Sequence, residues 1–205
     1  MKKIMVLVII ALVVILGAVL VAAGWQLGAF DKPAAAVAIG APMPDFTLRD
    51  IEGVEHTLSQ YRGKTVVLVF ASFKCPWSKG ADPQIAALAE EYSDRDVVFL
   101  AIDSHYDTSP EEIAAYANAA RLPFATVKDE GNRYADLVGA KRTPEVFLVD
   151  REGALVYHGA FDNRRGTDAP GGKTYTADAL AALLEGKSIP VAETRSWGCT
   201  IKRAE

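Results

Sequence analysis

The stretch SFKCPWSKG, Ser72 to Gly80, follows the apolar run TVVLVFA and carries Cys75, one of only two cysteines in the chain; the other is Cys199. A cysteine reacts through its thiolate, and its ordinary pKa of about 8.5 falls when the sulfur sits at a helix N-terminus or beside cations. Both conditions are written around Cys75. The apolar run reads as a strand and a helix should follow. Pro76 suits the first helical turn, where its missing N–H is not needed. Lys74 and Lys79 flank the sulfur. Ser78 stands where a C-x-x-C pair would carry its second sulfur, and its hydroxyl, one turn on, is placed to hydrogen-bond Cys75. The bland alternative is a cysteine that fills space in a core; polar flanks at a strand-to-helix turn argue against it. A working Cys75 must be reachable from solvent.

The elements that would hold this sulfur can be read from pattern. Thr65 to Phe70 is continuous, apolar and β-branched, as expected of a strand covered on both faces. Ile85, Leu88, Ala89 and Tyr92 recur at helical spacing after Cys75, with Pro83 inside the helix, where it should kink. Val97 to Ile102 is a second buried strand. Ser109-Pro110-Glu111-Glu112 gives an N-cap, a proline at the first helical position and a capping-box glutamate; Ile113, Ala117 and Ala120 continue that helix. Phe46 to Leu48 and Glu55 to Leu58 flank Glu52-Gly53 as a small hairpin. Val146 to Val149 and Ala154 to Tyr157 form another across Asp150-Arg151-Glu152-Gly153. Residues 163–175 read as an exposed loop, and Thr176 as the cap of a last helix, Ala177 to Glu185, closed by Gly186. Strands and helices in this order make an α/β layer pattern.

Composition narrows the function classes. The chain has 205 residues and a net charge of −4 without a basic block, which argues against nucleic acid as a partner. Two cysteines are too few for a disulfide scaffold and lack zinc-ligand spacing. His56, His105 and His158 are scattered and read as surface or turn residues; Asp103 and Asp107 read as solvated loop residues ahead of a helix. No metal or cofactor is expected.

After Lys2 and Lys3 come twenty uncharged residues, Ile4 to Ala23. At ~1.5 Å per residue they span a ~30 Å hydrocarbon core, with Trp25 at the interface and the lysines on the cytoplasmic side. Residues 1–25 are therefore read as a membrane anchor in preference to a cleaved signal sequence, whose apolar region is shorter. Residues 26–43, rich in Ala, Gly and Pro, are read as a tether, and 44–205 as the domain. Either reading places the domain outside the cytoplasm, where a disulfide persists.

Cys-Pro-Trp-Ser at a helix head, Pro83 eight residues after Cys75, and Thr143-Pro144 before a strand hairpin together resemble the thioredoxin fold. The segments FATVKDEGNRYADLVGAKRTPEVFLVDREG, LVYHGAFDN and WGCTIKR extend the likeness. They are similar to a bacterial peroxiredoxin-like group within the alkyl hydroperoxide reductase and thiol-specific antioxidant superfamily. The resemblance implies a central mixed β-sheet flanked by helices and a cis Pro144 opposite Cys75. It also implies a Thr143 backbone able to pair with a substrate strand, with Trp77, Thr143 and Pro144 facing the substrate. Two departures set the chain apart from peroxiredoxins. Leu68 stands where their P-x-x-x-[ST]-x-x-C signature has its proline, and Pro144 where they place an arginine; Arg142 is near but out of register. Dithiol thioredoxins have a second sulfur where this chain has Ser78. The strand from Thr65 to Phe70 also lacks a carboxylate that could accept a proton.

The reading favoured by these residues is a membrane-tethered, extracytoplasmic thiol–disulfide oxidoreductase acting on protein or small-molecule thiols and disulfides. Cys75 is its nucleophile, Ser78 and Lys74 tune it, and Cys199 is the candidate resolving sulfur. A thiol-dependent peroxidase is the alternative enzyme. A non-catalytic domain with a permanent Cys75–Cys199 disulfide is the structural alternative, and a monothiol Cys75 resolved by an external thiol remains a third. Pairing of either kind requires a Cα separation of about 4.4–6.8 Å.

Overall fold

The computed structural model describes residues 37–204. The anchor expected over 4–23 lies outside them; among the described residues no helix is long and apolar enough to cross a membrane. Part of the expected tether is packed on the domain: Val37 lies against the core and the Gly40 N–H donates to the Leu155 carbonyl at 2.7 Å.

The fold is a thioredoxin-like α/β arrangement around one seven-stranded sheet. In chain order the elements are β1 (Thr47–Asp50), β2 (Glu55–Thr57), β3 (Thr65–Phe70), α1 (Pro76–Glu91), β4 (Val97–Asp103), α2 (Pro110–Ala120), β5 (Ala125–Lys128), α3 (Arg133–Val138), β6 (Arg142–Thr143), β7 (Glu145–Val149), β8 (Leu155–Gly159), α4 (Tyr175–Leu184) and β9 (Cys199–Thr200). The sheet runs β2-β1-β5-β4-β3-β7-β8. The pairs β3–β4 and β4–β5 are parallel; β3–β7, β7–β8, β1–β5 and β1–β2 are antiparallel. The sheet is therefore mixed, as the sequence implies. β6 stands apart, paired antiparallel with β9.

β3 is an inner strand of this sheet, between β4 and β7, and its two-residue alternation divides the core. Val66, Leu68 and Phe70 enter one apolar cluster with Phe46, Tyr134, Val138 and Phe147, so that α3 covers this face. Val67 and Val69 enter the other, with Ile85 and Leu88 of α1 and Leu180 of α4. A strand buried on both faces needs no polar alternation, which is why TVVLVF is apolar throughout.

Local chemistry sets the ends. Ser109 accepts from the Glu112 N–H at 3.2 Å and Glu112 returns a bond to the Ser109 N–H at 3.0 Å, the capping box expected. The last helix differs from expectation: it starts at Tyr175 with Thr174 as N-cap, and Thr176 is buried inside its first turn. The second hairpin is offset by one residue, β7 beginning at Glu145 and β8 at Leu155. Leu68 is fully buried on the inner strand β3. Its replacement by Ala should lower unfolding free energy by roughly 2–5 kcal/mol, read by denaturant titration, and a loss under 1 kcal/mol would contradict this packing.

Candidate active site

Cys75 is the N-cap residue of α1, directly after the turn that leaves β3. The turn is tied by three bonds: the Cys75 N–H donates to the Ser72 carbonyl at 2.9 Å, the Lys74 N–H to Ser72 Oγ at 3.3 Å, and the Ser72 N–H to Ser78 Oγ at 3.3 Å. The Ser78 hydroxyl thus closes the turn. Its expected bond to the sulfur is replaced by the Ser78 backbone N–H, one of the donors that favour ionised Cys75.

Opposite lies the Thr143-Pro144 peptide, which is cis as the resemblance implies. The Cys75 thiol donates to the Thr143 carbonyl across 2.9 Å. On the far side of Thr143, β9 is in register with β6: Thr143 faces Cys199 and Arg142 faces Thr200. The strand ladder therefore delivers Cys199 to Cys75, and both are free thiols in this structure.

The two sulfurs ionise unequally. Burial pushes the Cys75 thiol up, but the Cys199 thiol, the Thr143 hydroxyl and the N–H groups of Ser78 and Cys199 hold it below its ordinary value. The Thr143 hydroxyl is buried without a hydrogen-bond partner, so its proton is available to a thiolate. Burial, together with the hydrogen bond and charge of its neighbour, pushes Cys199 up to about 11. Cys75 is thus the more acidic thiol of the pair and Cys199 the less acidic one.

Two expectations need correction. Lys74 does not face the sulfur: its ammonium bonds to the Asp107 carbonyl and lies 3.9 Å and 3.8 Å from the carboxylates of Asp107 and Glu112. A cation shared among these acceptors leaves the tuning of Cys75 to uncharged donors. The second concerns access. Cys75 is 0% exposed, and Cys199 of β9 is among the groups against it. Trp77, expected to face substrate, packs on Trp197 of the segment that ends in β9, with ring centroids 5.4 Å apart. Trp197 Nε1 donates to the Asp162 carbonyl at 2.6 Å, and the Arg164 guanidinium lies 5.1 Å from its ring.

Several buried polar residues hold this geometry; Glu145 escaped the sequence reading, and others stood in it as surface or loop residues. Glu145 Oε2 accepts the N–H groups of Lys141 and Arg142 at 2.6 and 2.8 Å, while Oε1 meets His158 at 2.8 Å and Ser196 at 3.0 Å. One carboxylate thus ties β6, β8 and the tail. Arg164 makes a two-pronged bond to Asp162 and reaches Gln84 of α1 at 2.9 Å. His105 and Asp103 are buried, not solvated; Asp103 accepts from Thr108 at 2.7 Å and faces Lys128 at 3.6 Å. Among the described residues no group of three or more His, Cys, Asp or Glu could hold a metal. A charged residue opening the apolar run EVFLV was a legible signal for Glu145; Arg164, in a glycine-rich loop, carried none.

Asp82 lies on the inward face of α1, one turn beyond Ser78, and accepts from Tyr116 at 2.5 Å. It opens on a pocket of about 30 Å³ that also touches Ser72 and Ser78 but neither cysteine, room for a water molecule but not the reaction centre. Burial raises the Asp82 pKa to about 6. A carboxyl whose pKa rises on folding binds its proton more tightly in the native state. Its favourable contribution is complete below about pH 4 and is lost as pH rises through about 6. Asp82→Asn should therefore gain on the parent chain by up to about 3 kcal/mol between pH 4 and pH 8, measured as the pH dependence of the stability difference; a difference independent of pH would refute the raised pKa.

Comparison with known proteins adds relatives to this geometry. The AhpC/TSA family model matches residues 39–158, a span that includes Cys75 and Pro144 but ends before Cys199. The thiol-disulfide oxidoreductase ResA of Geobacillus thermodenitrificans is 33% identical over 143 residues, 69% of this chain and 81% of that protein. The chloroplastic peroxiredoxin Q of Sedum lineare is 30% identical over 143 residues, 65% of this chain and 76% of that protein. Among solved structures, a hypothetical protein of Sinorhizobium meliloti aligns with a TM-score of 0.75 at 31% identity, covering 83% of this chain and 97% of that one.

Proposed function

The chain belongs to the AhpC/TSA family, and from that premise we propose that it is a thiol–disulfide oxidoreductase whose redox pair is Cys75 and Cys199. The observation that carries this reading is the register of β6 with β9, which sets Cys199 opposite Thr143, the residue whose carbonyl accepts the Cys75 thiol. In the reduced state Cys75 is the nucleophile. Its thiolate attacks one sulfur of a substrate disulfide and expels the other as a thiolate. Cys199, no longer beside a negative sulfur, loses part of what held its pKa up and can ionise. It attacks Cys75 Sγ and releases the substrate's remaining thiolate. Two electrons pass from the dithiol to the substrate, and a Cys75–Cys199 disulfide remains.

Ser78 serves the turn and supplies an amide donor. Thr143 contributes both a carbonyl for the resting thiol and a hydroxyl for the thiolate. Arg142, the cation nearest a peroxidase-like position, donates to the Gly198 carbonyl at 3.1 Å, so it is engaged with the tail rather than open to a peroxide oxygen. Disulfide exchange is therefore preferred to peroxide reduction. On oxidation by a small disulfide, the parent chain should become lighter by two hydrogens and yield a linked Cys75–Cys199 peptide. Cys199→Ser should instead retain the reagent on Cys75 and turn over at least about tenfold more slowly. Cys75→Ser should be inert. Absence of the linked peptide from the oxidised parent would remove Cys199 from the reaction.

The proposal includes a tether through residues 4–23 and a domain on the extracytoplasmic side of the cell membrane, supported by the length and flanks of that apolar run. The full chain should stay with membranes after carbonate extraction, and a thiol reagent unable to cross the bilayer should label it in intact cells. Release by carbonate would end the tether; labelling only after lysis would reverse the orientation.

A further inference from the structure

The segment beside Cys75 is seated in a way that restricts what else could sit there. Its strand lies along β6 with Cys199 opposite Thr143, and the Ile201 N–H donates to the Lys141 carbonyl at 3.0 Å. Gly198, just before the cysteine, has φ +108. A Cβ there would collide with the Thr143 carbonyl oxygen and approach Pro144 Cδ to 3.3 Å. That carbonyl is the group holding the Cys75 thiol, so it cannot yield without moving the reacting sulfur's own partner. The position before the cysteine thus admits glycine and little else.

Beyond the cysteine the seat has a stated chemistry. Ile201 is 2% exposed and belongs to the core. Lys202 pairs with Asp107 at 2.9 Å and Arg203 with Asp136 at 2.7 Å. Read outward from Pro144, the seat calls for glycine, cysteine, any residue, an apolar residue and two basic ones. Cys75 is fully covered, and the β6 edge beside it is taken by this segment.

We infer that the β6 edge is a selective seat for a glycine–cysteine strand, filled in the resting state by the chain's own tail. A disulfide-bearing partner peptide takes the same seat with its Gly-Cys in the register of Gly198 and Cys199. The inference rests on the exchange chemistry proposed above and adds its substrate class. Attack by Cys75 on the partner's cysteine forms a mixed disulfide and releases the sulfur bonded to it as a thiolate. Return of the tail brings Cys199 to the mixed disulfide, forms the Cys75–Cys199 bond and frees the partner's thiolate. Resolution and expulsion of the partner strand are one event, because the two strands use one edge.

The test uses the full chain carrying Cys199→Ser, so that Cys75 is the only thiol, and three aryl disulfide probes. Two are peptides, SWGCTIKR and SWACTIKR, each joined through cysteine to thionitrobenzoate; the third is the symmetrical aryl disulfide alone. Release of the coloured thiolate reports attack. The expected result is that the glycine peptide reacts at least about tenfold faster than the alanine peptide, a difference of about 1.4 kcal/mol in the barrier. Equal rates for the two peptides, or reaction with the aryl disulfide but neither peptide, would overturn the seat and leave the exchange reaction standing. Silence toward all three probes would remove the exchange chemistry and the seat with it.

Discussion

A buried sulfur whose ionisation is favoured by uncharged donors alone is the constraint to which the rest of the site answers. An unpaired buried charge is costly, and in practice the group neutralises unless donors surround it. Cys75 is fully covered, and no cation stands among the leading influences on it. The donors are the Ser78 N–H, the Thr143 hydroxyl, and the S–H and N–H of Cys199. They come from three separate places in the chain: the head of α1, the loop before Pro144, and the tail. Each loses its effect if its element shifts by an ångström or so, because hydrogen bonds weaken steeply with distance and angle. The Thr143 carbonyl works in the opposite sense, favouring the S–H form, so the sulfur rests between a state that donates to Thr143 and a state that accepts from its neighbours.

The buried polar residues around the site follow from this demand for position. Glu145 gathers two amides of the β6 loop, a histidine of β8 and a serine of the tail on one carboxylate. The cis peptide, β6 and the tail are thereby referred to the same anchor. Asp162 and Arg164 do the like for Trp197, and through Gln84 they refer the tail to α1, the helix that presents Cys75. Such networks specify geometry more dependably than they add stability, since the desolvation of each charge offsets much of its pairing energy. Asp82 shows the other side of that balance: with a neutral tyrosine as its hydrogen-bond partner, burial prevails and its pKa rises.

Much of this was legible in the sequence, and the residues show why the remainder was not. β3 and β4 announced themselves because strands covered on both faces are continuously apolar; α2 did so through its capping box. β5, ATVK, and α3, RYADLV, were not called as elements because they are too short for a period to show. The pairing of β6 with β9 could not be read at all. Each is two residues long, and what brings them together is Ile201 entering the core and Lys202 and Arg203 meeting acids from β4–α2 and α3. Lys74 was misjudged for a related reason. Proximity in sequence places a lysine near a sulfur, but Asp107 and Glu112, distant in sequence, decide where its ammonium points.

The position of the second sulfur separates this site from a C-x-x-C arrangement. Residue 78 is buried in the first turn of α1, and its hydroxyl is committed to the Ser72 amide that shapes the turn. A sulfur fixed there would be near Cys75 at all times and would leave the β6 edge open to any strand. Carried on a terminal strand, the second sulfur arrives with its own backbone ladder. In the proposed exchange, Cys75 is then either covered with Cys199 beside it, or exposed with Cys199 withdrawn. Access and resolution become alternatives governed by one segment, and the strength of the tail's anchors sets the balance between them. Those anchors include a core residue, Ile201, a tryptophan, Trp197, packed on Trp77 and bonded to Asp162, the β6 ladder, and surface ion pairs with exposed lysine and arginine, each worth at most about 1 kcal/mol and screened by salt. Ionic strength therefore loosens the tail only slightly, because its apolar and hydrogen-bonded anchors, Ile201 and Trp197 among them, are not screened.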